Sequence, residues 1–326
     1  MAAADQIKSL IKSFADGDDT RFYATAMQIA ASEARNGHTA LAEELKKLID
    51  KSKAGKKEHL GVVKSFPTNP TQRELNDLLD LEHPKEKLSH MVLKPVVKKG
   101  LNRVLDEQRK FEILSQHNLF PRRKLLFTGP PGCGKTMASR MLAGELGLPL
   151  FVIRLDGLIS RYMGESISKL RLIFDAMHQM RAVYLFDEFD SIGTSRTGGN
   201  DPGEMKRVLN TFLLQIEKDD SGSLIIAATN LPETLDKALF RRFDEIIRFP
   251  YPENEEIIEL YKRELPLSKK NTQTFINRIA EESSGLSFAE IHRVCEDVVK
   301  DKLVYGTTEL TEEKLIEYIH QRKHIF

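Results

Sequence analysis

Tryptophan is absent from the chain, cysteine occurs twice, and no apolar run approaches the roughly 18 residues that a membrane-crossing helix needs. Each absence removes a class of protein. Cys133 and Cys295 cannot build the disulfide framework of a small secreted domain, and the opening MAAADQIKSL lacks the apolar core of a signal peptide. The expected compartment is therefore the cytoplasm, with no membrane role. An excess of one charge is also lacking: 49 Lys and Arg face 48 Asp and Glu, and a net +1 supplies no global field for nucleic acid or a lipid surface. What is present is a globular composition, 40% hydrophobic and 30% charged over 326 residues, enough for two or three domains.

Three apolar stripes at helical spacing open the chain: Ile7, Leu10, Ile11 and Phe14; Phe22, Ala26, Ile29 and Ala30; Leu41, Leu45, Leu48 and Ile49. Residues 1–55 are thus expected to form a small helical N-terminal domain, near the lower size at which one core holds alone. KSKAGKKEHLG and SFPTNPTQ, rich in Lys, Gly and Pro, mark 56–87 as a linker. From Leu88 a long charged helix, VVKKGLNRVLDEQRKFEILSQ, leads into five short apolar runs: KLLFTG, PLFVIRLDG, AVYLFDEFD, SLIIAATN and EIIRFPYP. Five buried strands alternating with helices predict an α/β fold with a five-stranded parallel sheet over 88–252. Residues 253–326 show no strand run and read as four helices, a separate helical subdomain.

GPPGCGKT follows the first of these strands and precedes a helical stretch. It fits G-x-x-x-x-G-K-[ST]: Gly129, Pro130, Pro131, Gly132, Cys133 and Gly134 turn backbone N–H groups inward around phosphates at a helix N-terminus. Lys135 reaches the β and γ phosphates, the Thr136 hydroxyl ligates Mg²⁺, and Met137 opens the helix beside the nucleotide. Cys133 reads as a small residue in a loop position, without support for a redox role. Strand AVYLFDEFD ends in Asp187-Glu188, two carboxylates that are costly at the end of a buried strand unless a cation or polar ligand uses them. Asp187 would hold Mg²⁺ through its water shell and Glu188 would deprotonate the attacking water, while Asp190 reads as a solvated acidic turn. Asn230 closes the next strand run, and LDKALFRRFDE presents Arg241-Arg242 after a short helix. ISRYMGES (159–166) fits neither helical nor strand periodicity and sets two large apolar side chains on a loop.

GPPGCGKT, LFDEFDS, AATN and ALFRRFDE, in that order and with a helical tail after PYP, resemble the AAA clade of AAA+ ATPases, of the bacterial single-ring type, over roughly residues 88–305. The resemblance implies a P-loop NTPase sheet with a helical lid, ATP and Mg²⁺ as ligands, and a homohexameric ring with ATP between subunits. It implies that Asn230 acts as the first sensor and that Arg241 and Arg242 reach phosphate in trans, although the family's longer arginine spacing is compressed here to RRF. GLSFAEI (285–291) resembles the second-sensor stretch, with Phe288 where a glycine is usual. RYMG falls where family members line the ring's pore, so Tyr162 and Met163 would grip an extended polypeptide by contact area and Gly164 would supply the bend. Thr197, Gly198 and Gly199 match a second pore loop by position alone. The expected activity is an ATP-driven protein-remodelling motor. The alternative is an ATP-controlled assembly switch, with an adaptor or a separate protease recruited through the N-terminal domain. Nucleic acid is not an expected partner, because no aromatic-basic module is present.

Overall fold

The computed structural model describes residues 70–158, 164–193, 202–265, 273–306 and 312–323, with isolated positions between 25 and 47. The chain divides into two compact units, Met1–Ser65 and Phe66–Phe326. In the first unit the described positions are helical apart from His38, and Ala30 of the second apolar stripe is buried. The rest of the expected N-terminal domain lies outside the described residues.

The second unit is built on one six-stranded sheet. Its strands are β1 (Leu79–Glu82), β2 (Lys124–Thr128), β3 (Leu150–Ile153), β4 (Val183–Phe186), β5 (Leu224–Thr229) and β6 (Glu245–Arg248), in the spatial order β1-β3-β4-β5-β2-β6. β3, β4, β5, β2 and β6 run parallel, with Leu125 opposite Ile226 on one side and Glu245 on the other. The central strands are continuous apolar runs because both faces are covered. Successive side chains alternate between two cores. Leu126, Tyr184, Phe186 and Ile225 join one, and Leu125, Phe127, Leu185 and Ile226 join the other. On the first face Phe212 stands edge-on to Phe186, with ring centroids 5.0 Å apart. Burying each such ring contributes about 1.5–3 kcal/mol.

Two expectations need correction. The sheet has a sixth strand, and β1 is antiparallel to β3, pairing Leu79 with Ile153. The residues expected as linker therefore include a helix, α1 (Pro70–Leu78), and this edge strand. Leu75, Leu78 and Leu79 are buried, which fixes the segment to the sheet despite its polar, proline-rich approach. LDLE is too short and too charged to stand out as a strand, and its charges are used: Glu82 forms a two-pronged ion pair with Arg140, at 2.8 and 3.0 Å. The long charged helix is also two helices, α2 (Pro95–Arg109) and α3 (Phe111–Gln116), broken at Lys110. Val97, Leu101, Val104 and Leu105 keep α2 on the sheet, whereas Phe111 and Ile113 are exposed, so the buried stripe ends where the helix breaks.

The remaining described helices of the α/β layer are α4 (Lys135–Leu146), α5 (Leu155–Leu158), α6 (Glu165–Gln179), α7 (Asp190–Gly193), α8 (Pro202–Lys218) and α9 (Lys237–Phe240). Four helices then form the lid: α10 (Asn254–Glu264), α11 (Gln273–Glu282), α12 (Phe288–Tyr305) and α13 (Glu312–Lys323). They share a third core of Ile257, Tyr261, Ile279, Ile291, Val294, Leu315 and Ile319. Ser287 caps α12, accepting from the Glu290 N–H while the Glu290 carboxylate accepts from the Ser287 N–H at 2.5 Å. This reciprocal cap satisfies two N–H groups left without partners at the start of α12.

Candidate nucleotide site

Between β2 and α4 the GPPGCGKT turn needs backbone conformations that side chains resist. Gly129, Gly132 and Gly134 have φ of +142°, +73° and +94°. A Cβ at Gly129 would stand 2.0 Å from the Phe249 carbonyl oxygen, so only glycine fits where the turn passes the end of β6. Cys133 points into the core and is buried, and burial pushes its thiol up to about 11, leaving no thiolate for redox chemistry.

Lys135 is the first residue of α4 and only 7% exposed. Its ammonium donates to the carbonyls of Gly129 and Pro130, at 2.7 and 2.8 Å, and to Asn230 Oδ1 at 2.7 Å. All three N–H bonds are engaged, so a phosphate drawing on this lysine must exchange at least one of them. Burial, the largest influence, holds the Lys135 pKa below the ordinary lysine value. One residue on, the Thr136 hydroxyl donates to Asp187 Oδ2 at 2.6 Å. Lys135 and Thr136 thus reach, from one helix end, the residues closing β5 and β4.

Beyond β4 the chain turns sharply. Glu188 has φ +49°, a left-handed conformation costing of order 1–3 kcal/mol outside glycine. Its surroundings hold it there. Its own N–H donates to Asp187 Oδ1 at 2.9 Å, its carbonyl accepts from the Ser191 N–H at 2.8 Å, and the Phe189 N–H donates to the Ala228 carbonyl at 2.8 Å. Phe189 is buried and Glu188 is exposed on the cavity wall. Asp190 departs from expectation: it is buried, and its Oδ1 accepts from Thr229 Oγ1 and the Asn230 N–H, each at 3.1 Å. Rather than forming a solvated turn, it fixes the end of β5, which places the Asn230 side chain on Lys135.

Lys135, Thr136, Asp187, Glu188 and Asn230 line a cavity of about 500 Å³ between the sheet edge and the lid, which Leu260, Glu264, Phe288, Ala289 and His292 enter from the lid side. The lid docks on the glycine turn, with the Ala289 N–H donating to the Gly132 carbonyl at 3.1 Å. Phe288, singled out in the sequence, lines the cavity. The segment before α2 contributes His90, Met91 and Val92, which carried no motif.

Tyr162 and Met163, and Thr197, Gly198 and Gly199, lie outside the described residues. Gly164 is described at φ +86°, just ahead of α6. Arg241 and Arg242 follow α9, whose first turn is capped by Asp236, and neither lines the cavity. Arg242 pairs with Glu217 at 3.1 Å.

A five-stranded parallel sheet core, a glycine phosphate turn feeding a helix and an acidic strand end define a P-loop nucleotide-binding fold. The model of the ATPase family associated with various cellular activities (AAA) matches residues 125–251. An uncharacterized AAA family ATPase of Sinorhizobium fredii, y4kL, is 35% identical over 315 residues, 96% of this chain and 93% of that one. A protein named provisionally as a cell division cycle ATPase of Plasmodium falciparum is 30% identical over 253 residues, covering 76% of this chain but only 20% of its own length. The crystal structure of the FIGL-1 AAA domain superposes with a TM-score of 0.60 at 21% identity, over 82% of this chain and 91% of that one. The chain belongs to the AAA family of ATPases. Among the described residues no helix is long and apolar enough to cross a membrane.

Replacing Lys135 by Ala should abolish nucleotide binding, because the backbone amides alone leave phosphate charge uncompensated. Direct titration with a fluorescent nucleotide reads this. Wild-type affinity in the variant would reduce the turn to a structural one.

Proposed function

We propose that the protein hydrolyses ATP at this site and, assembled as a homohexameric ring, uses the cycle to remodel polypeptide substrates. The observation that carries the reading is the convergence of Lys135 on Asn230 and of Thr136 on Asp187, at 2.7 and 2.6 Å, with Glu188 at the cavity wall. Among the described residues no group of three or more His, Cys, Asp and Glu could hold a metal by itself. One hydroxyl and one carboxylate suit Mg²⁺, which takes few protein ligands and keeps water and phosphate oxygens. Bound there it would neutralise charge on the β and γ phosphates.

The chain's own groups have separable tasks. The N–H groups of the glycine turn and Lys135 hold the phosphates. Glu188 takes a proton from the attacking water, and Asn230, held by Asp190 through its backbone, positions that water against the γ phosphate. Arg241 and Arg242 serve the neighbouring subunit's site. The polypeptide would be gripped by Tyr162 and Met163, which precede Gly164 and α6 in the sequence.

Tyr162→Ala separates this motor from an assembly switch. Basal ATP hydrolysis should remain within about twofold of wild type, while unfolding of a fluorescent protein carrying an unstructured tail should fall to background, because alanine removes most of the contact area. Tyr162→Phe should retain most unfolding. Full biological activity of the Ala variant would favour the switch. A melting temperature lowered together with ATPase activity would make Tyr162 a packed core residue, whose truncation costs about 3–5 kcal/mol.

A further inference from the structure

Charged side chains ahead of β2, β5 and β6 link the arginine pair to the end of α8. We infer that Glu217 is a positioning residue for hydrolysis at the neighbouring subunit: by holding Arg242 it presents Arg241 to phosphate, so that Arg242 braces the turn and Arg241 makes the contact. This rests on the reading of the arginines as acting in trans. The turn that carries them is packed on α8. Leu239 and Phe243, on either side of the pair, share one buried cluster with Phe212 and Ile216 of α8. The Arg242 N–H donates to the Leu239 carbonyl at 3.0 Å, so the backbone of the turn is fixed while both arginines are exposed.

Glu217 follows Ile216 directly, in the last turn of α8, and its Oε2 lies 3.1 Å from Arg242 Nη2. The end of α8 is anchored independently. The Asp219 side chain is fully buried and pairs with the Arg123 guanidinium, which also donates to the Asp219 carbonyl. The N–H of the same Arg123 donates to Asp244 at 2.9 Å, two residues past Arg242. Arg123 therefore fixes α8 just beyond Glu217 and the arginine turn just beyond Arg242, and the Glu217–Arg242 pair closes the circuit between them.

An exposed ion pair adds little to stability where a buried one already holds the same elements. What it adds is direction: a long arginine side chain gives up rotamer freedom and points one way. The pair also separates the two arginines. Arg242 is matched by a carboxylate, whereas Arg241 has no ion pair among the described residues, so its full charge is available to a phosphate.

The test measures steady-state ATP hydrolysis, nucleotide affinity and melting temperature on the full chain. Glu217→Ala should lower turnover about tenfold, the scale on which losing an outer-shell partner costs activity, with affinity unchanged and the melting temperature within about 4 °C of wild type. Glu217→Arg and Arg242→Glu should each lower turnover at least as far, and the two together should regain much of the lost rate, because the reversed pair again braces the turn. Co-assembly of Glu217→Ala with Glu188→Gln subunits, which retain Glu217, should restore hydrolysis at the mixed interfaces, a recovery that a purely structural defect would not show. A reversed pair as inactive as Arg241→Ala would make Arg242 a phosphate contact and overturn the assignment. Wild-type turnover in Glu217→Ala, or a loss that tracks the melting temperature, would overturn it as well. Unchanged turnover in Arg241→Ala would instead remove the trans reading itself, so the two failures are distinct.

Discussion

Glu188→Gln should bind ATP and assemble as the wild type does, yet hydrolyse it about 10² to 10⁴ times more slowly, the range of a lost general base. The amide preserves the shape of the side chain but cannot take a proton from water. The left-handed backbone at Glu188 and its ties to Asp187, Ser191 and the neighbouring β5 keep this position at the cavity wall whichever side chain it bears. No neighbouring carboxylate is a natural substitute. Asp187 is engaged by the Thr136 hydroxyl, and Asp190 is buried on Thr229 and Asn230. Single-turnover hydrolysis beside a nucleotide-binding titration measures the effect. Turnover within a few-fold of wild type would move the base elsewhere.

Much of this site is legible in the sequence because its parts stand at strand ends. A buried parallel strand is a bare apolar run, so a glycine turn, a carboxylate pair or a terminal asparagine directly after it is conspicuous. The strands β2 to β5 and the four lid helices are legible for the same reason, since burial on both faces, or a strong apolar stripe, dominates local propensity, while β6 at the sheet edge keeps only Ile247 buried and shows as the short apolar run EIIRF. β1 is not. With four residues at a sheet edge, two of them charged, it is set by pairing to β3 rather than by its own pattern. Asp190 is hidden for a related reason, since its partner Thr229 is 39 residues away and no local signal distinguishes a buried acid from a solvated one. His90 and Glu264 line one cavity because the lid folds back onto the segment before α2, through a contact spanning 174 residues between Ser89 and Arg263.

Arginine substitution should show the other large effect: Arg241→Ala should reduce turnover by about 10³-fold or more while leaving nucleotide affinity unchanged in separated subunits. The topology supports an effect that crosses an interface. Asp244, two residues after Arg242, accepts from the N–H groups of Arg123 and Lys124 at 2.9 Å each, and Glu245 pairs with Leu125. The arginine pair is therefore tethered beside the start of β2, whereas Lys135 follows the end of that strand. Roughly 13 Å of strand lies between the two levels, at about 3.3 Å per residue, and neither arginine borders its own chain's cavity. The proposed role on phosphate would thus be exercised at a neighbouring subunit. Of the two, Arg242 shares its charge with Glu217, while Arg241 is exposed and has no ion pair among the described residues. Arg242→Ala should accordingly cost less than Arg241→Ala. Mixing makes the geometry measurable. Subunits with Arg241→Ala retain Glu188, and subunits with Glu188→Gln retain both arginines, so co-assembled rings should regain part of the lost hydrolysis at the mixed interfaces. Absence of recovery despite co-assembly seen by mass measurement would rule out action in trans.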